Sequence, residues 1–169
     1  MKFTVDQDIP FSAADTAQAL ADPGLYATYT GLDKVAVPDL VGHDIDGDQV
    51  TLRMRYRFAG TLNGAARALI DPAKLTWVDV AVHDLATHTT EFRLEPDHYR
   101  KQFRAHGRYR IEDLGDRCRR RADIEVVVAV PGVGRVVERA IASGLEEHLR
   151  DERSALVAYL SNAPERPVT

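Results

Sequence analysis

Cysteine and tryptophan each occur once in the 169 residues, and long apolar runs do not occur at all. The lone Cys118 excludes an internal disulfide and any zinc site built from several thiolates, so stability has to come from packing. A membrane-spanning helix needs roughly 18 to 20 consecutive apolar residues. The chain offers none, and no stable membrane insertion is expected. The opening MKFTVDQDIP carries Asp6 and Asp8 where a signal peptide needs an unbroken apolar segment, which points to the cytoplasm. Excess positive charge is missing too. A formal net charge of -4 gives no support for nucleic-acid binding as the main activity. Asparagine is scarce and arginine far outnumbers lysine, the mark of a coding bias that weakens any argument from arginine number alone.

What is present is an ordinary globular composition, 44% hydrophobic with no low-complexity tract. It suffices for one domain over residues 1–162, followed by a short tail, 163–169. Phe3, Val5, Gln7 and Ile9 alternate against Thr4, Asp6 and Asp8, the period of two expected of a strand with one dry face. PFSAADTAQALADPG then offers Ser12 as N-cap, Asp15 three residues on, and Pro23-Gly24 as a stop. A second short helical stretch, LYATYTG, runs up to Gly31. Two extended runs follow about Asp46-Gly47, a short-range hairpin signal. In the second run Val50, Leu52, Met54, Tyr56 and Phe58 alternate with Thr51, Arg53, Arg55 and Arg57. Pro38 makes the first an edge strand or a bulged one.

Residues 61–74 read as a loop with a helical turn. LTWVDVAVHD, THTTEFRLE and a hairpin split at Leu114-Gly115-Asp116 supply four more strands. On the last, Cys118, Ala122, Ile124, Val126 and Val128 share a face with Arg120, opposite Arg119, Arg121, Asp123 and Glu125. Pro131 opens a helix that can reach Asn162, its stripe of Val133, Val137, Ile141, Gly144, Leu145, Leu149 and Leu156 spaced by threes and fours.

One strand, two short helices, six antiparallel strands and a long C-terminal helix is the element order of the helix-grip fold. On that order, and on MKFTVDQDIPFSAA at one end and VVVAVPGVGRVVERAIASGLEEHLRDERSALVAYL at the other, the chain resembles the START-like superfamily (SRPBCC). That superfamily includes the birch-pollen-allergen and polyketide cyclase types, and within it the chain is similar to an actinobacterial branch carrying an unknown-function label. The resemblance implies an α+β fold, a seven-stranded curved antiparallel sheet wrapped around the C-terminal helix. It also implies an apolar cavity between the two that binds a small hydrophobic molecule such as a lipid or polyketide. The residues agree, because a sheet with one dry face must cover it and only the final helix is long enough.

Complete catalytic signatures are absent. The strand, Gly132-Val133-Gly134 and helix imitate a dinucleotide-binding turn, but Val137 takes the third small-residue position, Pro131 occupies the turn, and no parallel strand follows. The six histidines form no His-x-x-x-His pair, so neither a metal nor another cofactor is expected. No Gly-x-Ser-x-Gly elbow occurs. The outer sheet face carries Arg53, Arg55, Arg57, Arg104, Arg108, Arg110, Arg119 and Arg121. Asp6, Asp8, Asp79, Glu91, Asp123 and Glu125 are expected among them as cross-strand partners, making it a solvated face.

That leaves polar residues aimed at the cavity. Alternation places Gln7, Tyr56, His88, Tyr109 and Arg120 on dry strand faces, with Met54 and Phe58 as apolar wall. The helical stripe adds His148, Glu152, Ile141 and Leu145. A pocket of apolar walls with a few convergent polar groups is the usual make-up of a binding site. His148 and Glu152 are an i,i+4 pair, and a carboxylate there favours the charged imidazole. Arg120 can hold a ligand carboxylate or pair with Glu152. Three function classes follow: carriage of a small, mostly apolar ligand; a polyketide cyclase or aromatase-like enzyme using His148, Tyr56, Tyr109 or Arg120 for acid-base work; and a regulatory module acting through the outer face. An exposed edge strand leaves room for a homodimer.

Overall fold

A computed structural model of the chain describes residues 1–30, 32, 34–61 and 71–162. Gly31, most of the expected loop at 61–74 and the tail 163–169 lie outside the described residues. Strand β1 (Lys2–Ile9) leads into helix α1 (Ala13–Leu20), where the Ser12 hydroxyl accepts from the Asp15 amide as N-cap. Pro23 does more than stop α1: it sits in the first turn of α2 (Pro23–Ala27), behind an Asp22 cap that accepts from the Gly24 amide.

Strands β2 (Asp39–Asp46) and β3 (Gln49–Arg57) form the expected hairpin, with its turn one residue later than the Asp-Gly signal suggests. Asp46 pairs with Gln49, and Gly47-Asp48 make the bend, Gly47 at φ 58° where a side chain would be strained. Pro38 stands just ahead of β2, which is an edge strand with a bulge between Leu40 and Gly42. A 3-10 turn (Pro72–Lys74) precedes β4 (Thr76–Asp84), β5 (Thr89–Pro96), β6 (Phe103–Asp113) and β7 (Cys118–Val128). Helix α3 (Gly134–Asn162) begins three residues after Pro131, because Val130–Val133 is spent on a turn closed by the Gly134 amide donating to the Val130 carbonyl.

All seven strands pair antiparallel in one curved sheet, in the order β1-β7-β6-β5-β4-β3-β2. Register puts Gln7, Arg120 and Ile111 in one row across the inner face, and Met54, Asp79 and Leu94 in another. The core divides in two. One cluster joins α1, α2, the end of β1, the inner face of β3 and the later part of α3 through Ile9, Leu25, Leu52, Met54 and Leu156; the other sits on β5–β7 around Phe92, Ala122, Ile124 and Leu149. Helix α3 approaches β7, β1, α1 and α2 closely, and makes no comparable approach to β3, β4 or β5. No helix among the described residues is long and apolar enough to cross a membrane.

Candidate functional site

Between the two clusters, the row across β1 and β7 carries charge into the interior. Arg120 is 1% exposed, held on the dry face of β7 by strict alternation with Cys118 and Ala122. Its Nε and Nη2 donate to the Gln7 Oε1 of the neighbouring strand at 2.9 and 2.7 Å, and Nη2 also donates to Glu152 Oε2 of α3 at 2.6 Å. Tyr29 donates its hydroxyl to the other Glu152 oxygen at 3.0 Å, and Gln7 Nε2 donates to the Leu149 carbonyl at 2.6 Å. The guanidinium also lies 5.0 Å from the centroid of the Tyr109 ring, within cation–π range. Burial pushes the Glu152 carboxyl up, but the Arg120 charge, its neighbours and the hydrogen bonds from Arg120 and Tyr29 together outweigh that and hold it below the ordinary glutamate range. The pair is ionised, and each charge depends on the other.

His148, one turn before Glu152, does not bond to it. Glu152 is occupied by Arg120 and Tyr29, while the imidazole stands edge-on to Tyr29 and Tyr56, with centroids 6.4 and 6.0 Å away. The expectation of a charged imidazole fails for a physical reason: burial lowers its pKa, and the attraction of Glu152 does not make up the difference. Its Nδ1 is buried without a hydrogen-bond partner among the described residues. Tyr56 stacks on Trp77, and Tyr109 on Phe92, giving the interior two flat aromatic walls.

Strand β4 brings in two residues that the sequence reading missed. LTWVDVAVHD alternates acceptably either way, and Val78, Val80 and Val82 make the wrong face look dry. The Tyr56–Trp77 and Met54–Asp79 register decides it: Trp77, Asp79, Ala81 and His83 face inward, and the valines lie on the outer face. Asp79 is therefore not a partner for the outer arginines. It makes no hydrogen bond with any described residue; its Oδ1 is buried and bare, and burial, reinforced by Glu152, pushes its carboxyl up to about 7. His83 is 4% exposed, its Nδ1 2.9 Å from the Thr90 hydroxyl and its Nε2 unpartnered, and burial brings its pKa down to about 4.

Of the residues named from sequence, Gln7, Tyr56, Tyr109, Arg120, His148 and Glu152 come together here. Met54 belongs to the first cluster, while Ile141 and Leu145 flank the second. Phe58 lies past the end of β3, bridged to Val35 and half-buried. His88 is a correction. It sits in the β4–β5 turn at φ 52°, one residue ahead of β5, so it belongs to no strand face. The inward histidine of that hairpin is His83.

The interior is not closed. Trp77, Asp79, Leu94, Tyr109, Leu145 and His148 all face inward yet keep some accessible surface. A Cβ built on Gly144, on the stripe of α3, meets no atom of the described residues within 4 Å. Room is therefore left beside α3 at that position, while Leu156 and Leu149 of the same helix join the clusters that include β3 and β5. Outside, by contrast, Arg53, Arg55, Arg57, Arg110, Arg119 and Arg121 each meet a carboxylate, as expected of a solvated face. Among the described residues no group of three or more His, Cys, Asp and Glu is placed to hold a metal.

A curved antiparallel sheet gripping a long C-terminal helix, with buried polar groups between them, is the START-like, polyketide-cyclase-type fold, and solved structures bear this out. The chain is similar to the Zhui aromatase/cyclase from Streptomyces sp. R1128, at TM-score 0.62 and 13% identity, over 95% of this chain and 93% of that one. It is similar also to norcoclaurine synthase from Thalictrum flavum in complex with dopamine and hydroxybenzaldehyde, at 0.66 and 16%, over 98% and 89%. A START superfamily protein from Mycobacterium smegmatis gives 0.58 and 17%, over 95% and 97%. No curated protein sequence matches. Over residues 4–160 the chain matches one family model, and it belongs to that family, described as protein of unknown function (DUF2505).

Proposed function

We propose that the protein, as a single domain over residues 1–162, binds and carries a small, mostly apolar molecule in the space between α3 and β3–β5. The observation that supports this most directly is the set of buried polar atoms without partners among the described residues: Asp79 Oδ1, His83 Nε2, Arg120 Nη1 and His148 Nδ1. Leaving such a group unbonded costs about 1–3 kcal/mol each. Four on one inner surface, among stacked aromatic rings, suit a ligand with an apolar body and a polar end. Native mass spectrometry of freshly purified protein, followed by solvent extraction, tests the reading. A stoichiometric small molecule supports it, and a solved structure with α3 collapsed onto β3–β5 overturns it.

An enzyme of the aromatase/cyclase kind is the second reading, and one observation favours it: the His148 ring, kept neutral by burial, holds Nδ1 free beside Tyr56. A neutral imidazole is competent to take a proton from a bound carbonyl compound. Turnover of an aromatic polyketide-like substrate that His148→Gln abolishes, with ligand binding retained, separates enzyme from carrier.

A further inference from the structure

The interior's charges are unevenly matched. Its cation, Arg120, is already paired with Glu152 and with Gln7. Burial keeps both inward histidines uncharged near neutral pH. One ionisable group is left over, the Asp79 carboxyl at the middle of the inner face, with no hydrogen bond from any described residue.

We propose that the interior site takes a basic amine, its ammonium set against Asp79 and its aromatic or other apolar body packed among Tyr56, Trp77 and Tyr109. This rests on the carrier reading above and names the ligand class. An ammonium displaces the proton that a buried, unpaired carboxyl otherwise keeps, and the interior then holds two opposite pairs and no net charge. A ligand carboxylate instead adds negative charge near Glu152 and Asp79, while the Nε and Nη2 of Arg120 are taken by Gln7 and Glu152 and only Nη1 is left to receive it. The rings also present the π faces on which organic cations are stabilised.

Glu152 on α3 is the charge that bears on Asp79, and Asp79 in turn acts on Tyr56 of β3, Tyr109 of β6 and Tyr26 of α2. His83 of β4, Arg120 of β7 and His148 of α3 share the interior with them. The four tyrosine and histidine neighbours on the strands and α2 stay neutral through the range in which Asp79 titrates, since burial raises the tyrosines and lowers His83. The proton exchanged on amine binding is therefore that of Asp79.

The test uses tryptamine and its neutral counterpart tryptophol, titrated into the full-length protein by calorimetry. Tryptamine is expected to bind about tenfold more tightly at pH 8, the worth of one charge-assisted hydrogen bond, with the advantage shrinking toward pH 5.5. Near pH 7 its binding releases protons, read from the difference between phosphate and Tris buffers, and tryptophol binding does not. Asp79→Asn removes the preference and the proton release. Equal affinity for the two probes, or a preference that survives Asp79→Asn, overturns the amine assignment and leaves the carrier reading standing. Binding of neither probe overturns both. The wild-type comparison stands even if the variant fails to fold.

Discussion

On the outer face of β7, Arg119 meets Asp8 at 2.9 Å, with 48% and 67% of the two side chains exposed. One residue along, on the inner face, Arg120 meets Glu152 at 2.6 Å with 1% and 9% exposed. The chemistry of the pairs is the same, and the surroundings reverse their meaning. In water a lost partner is replaced by solvent. In the interior it leaves a desolvated charge that nothing else neutralises. The largest effect is therefore expected from Glu152→Gln, which strands the Arg120 charge between β7 and α3. Urea unfolding at pH 7 should show a loss of about 3 kcal/mol.

The second contrast lies within the interior, between the paired acid and the unpaired one. Glu152 is held below its usual range, so its contribution is present at neutral pH and is lost as pH falls through the depressed value. Asp79 runs the other way. Its carboxyl is raised to about 7, so relative to the unfolded chain it destabilises progressively as pH rises from about 4 to about 7, and the penalty persists above that. Asp79→Asn keeps the shape and removes the charge. It should stabilise the protein by about 2 kcal/mol at pH 8 and by little at pH 3, where the wild-type carboxyl is protonated in both states. A gain that is equal at the two pH values would falsify the placement of an ionisable, unpaired Asp79 in the interior.

Legibility from sequence follows the same division. Element order was readable because every strand but β2 and β4 alternates cleanly and most turns have their own punctuation. Arg120 was readable for the same reason: a charge locked in phase with Cys118, Ala122 and Ile124 has nowhere to go but inward. β4 was not, since valines on one face and Trp77, Ala81 on the other give two equally plausible phases, and only pairing with Tyr56 and Met54 selects between them. Asp79 and His83 were hidden by that ambiguity. His88 misled because its turn backbone interrupts the alternation one residue before β5 begins. The protonation of His148 was misjudged by counting its i+4 carboxylate without the burial of the imidazole, which outweighs the attraction of Glu152.

Gly144 tests the empty side of the interior. It lies mid-helix, where glycine is about 1 kcal/mol less favourable than alanine, and none of the described residues stands within 4 Å of an added Cβ. Gly144→Ala should therefore raise stability by about 1 kcal/mol in urea unfolding. Gly144→Leu should fold and lose affinity for tryptophol, because its side chain enters the space assigned to the ligand. A folded Gly144→Leu variant with undiminished tryptophol affinity would move the ligand site elsewhere.

The smallest effect is expected on the outer face, and it completes the comparison with which Arg120 began. Arg119 keeps its neighbour Asp8 at hydrogen-bond distance, but both are bathed in water, and Glu112 and Asp6 lie close enough to act on the guanidinium as well. Removing Asp8 as Asp8→Ala leaves a cation that solvent and the remaining carboxylates accommodate, so the urea midpoint should stay within experimental error at physiological salt. Lowering the ionic strength weakens screening and should bring out a small loss that added salt erases. The Glu152→Gln loss, by contrast, should hardly change over the same salt range, since mobile ions do not reach the Arg120 guanidinium. If the two substitutions respond to salt alike, Arg120 is reached by solvent and the distinction between the two faces of β7 does not hold.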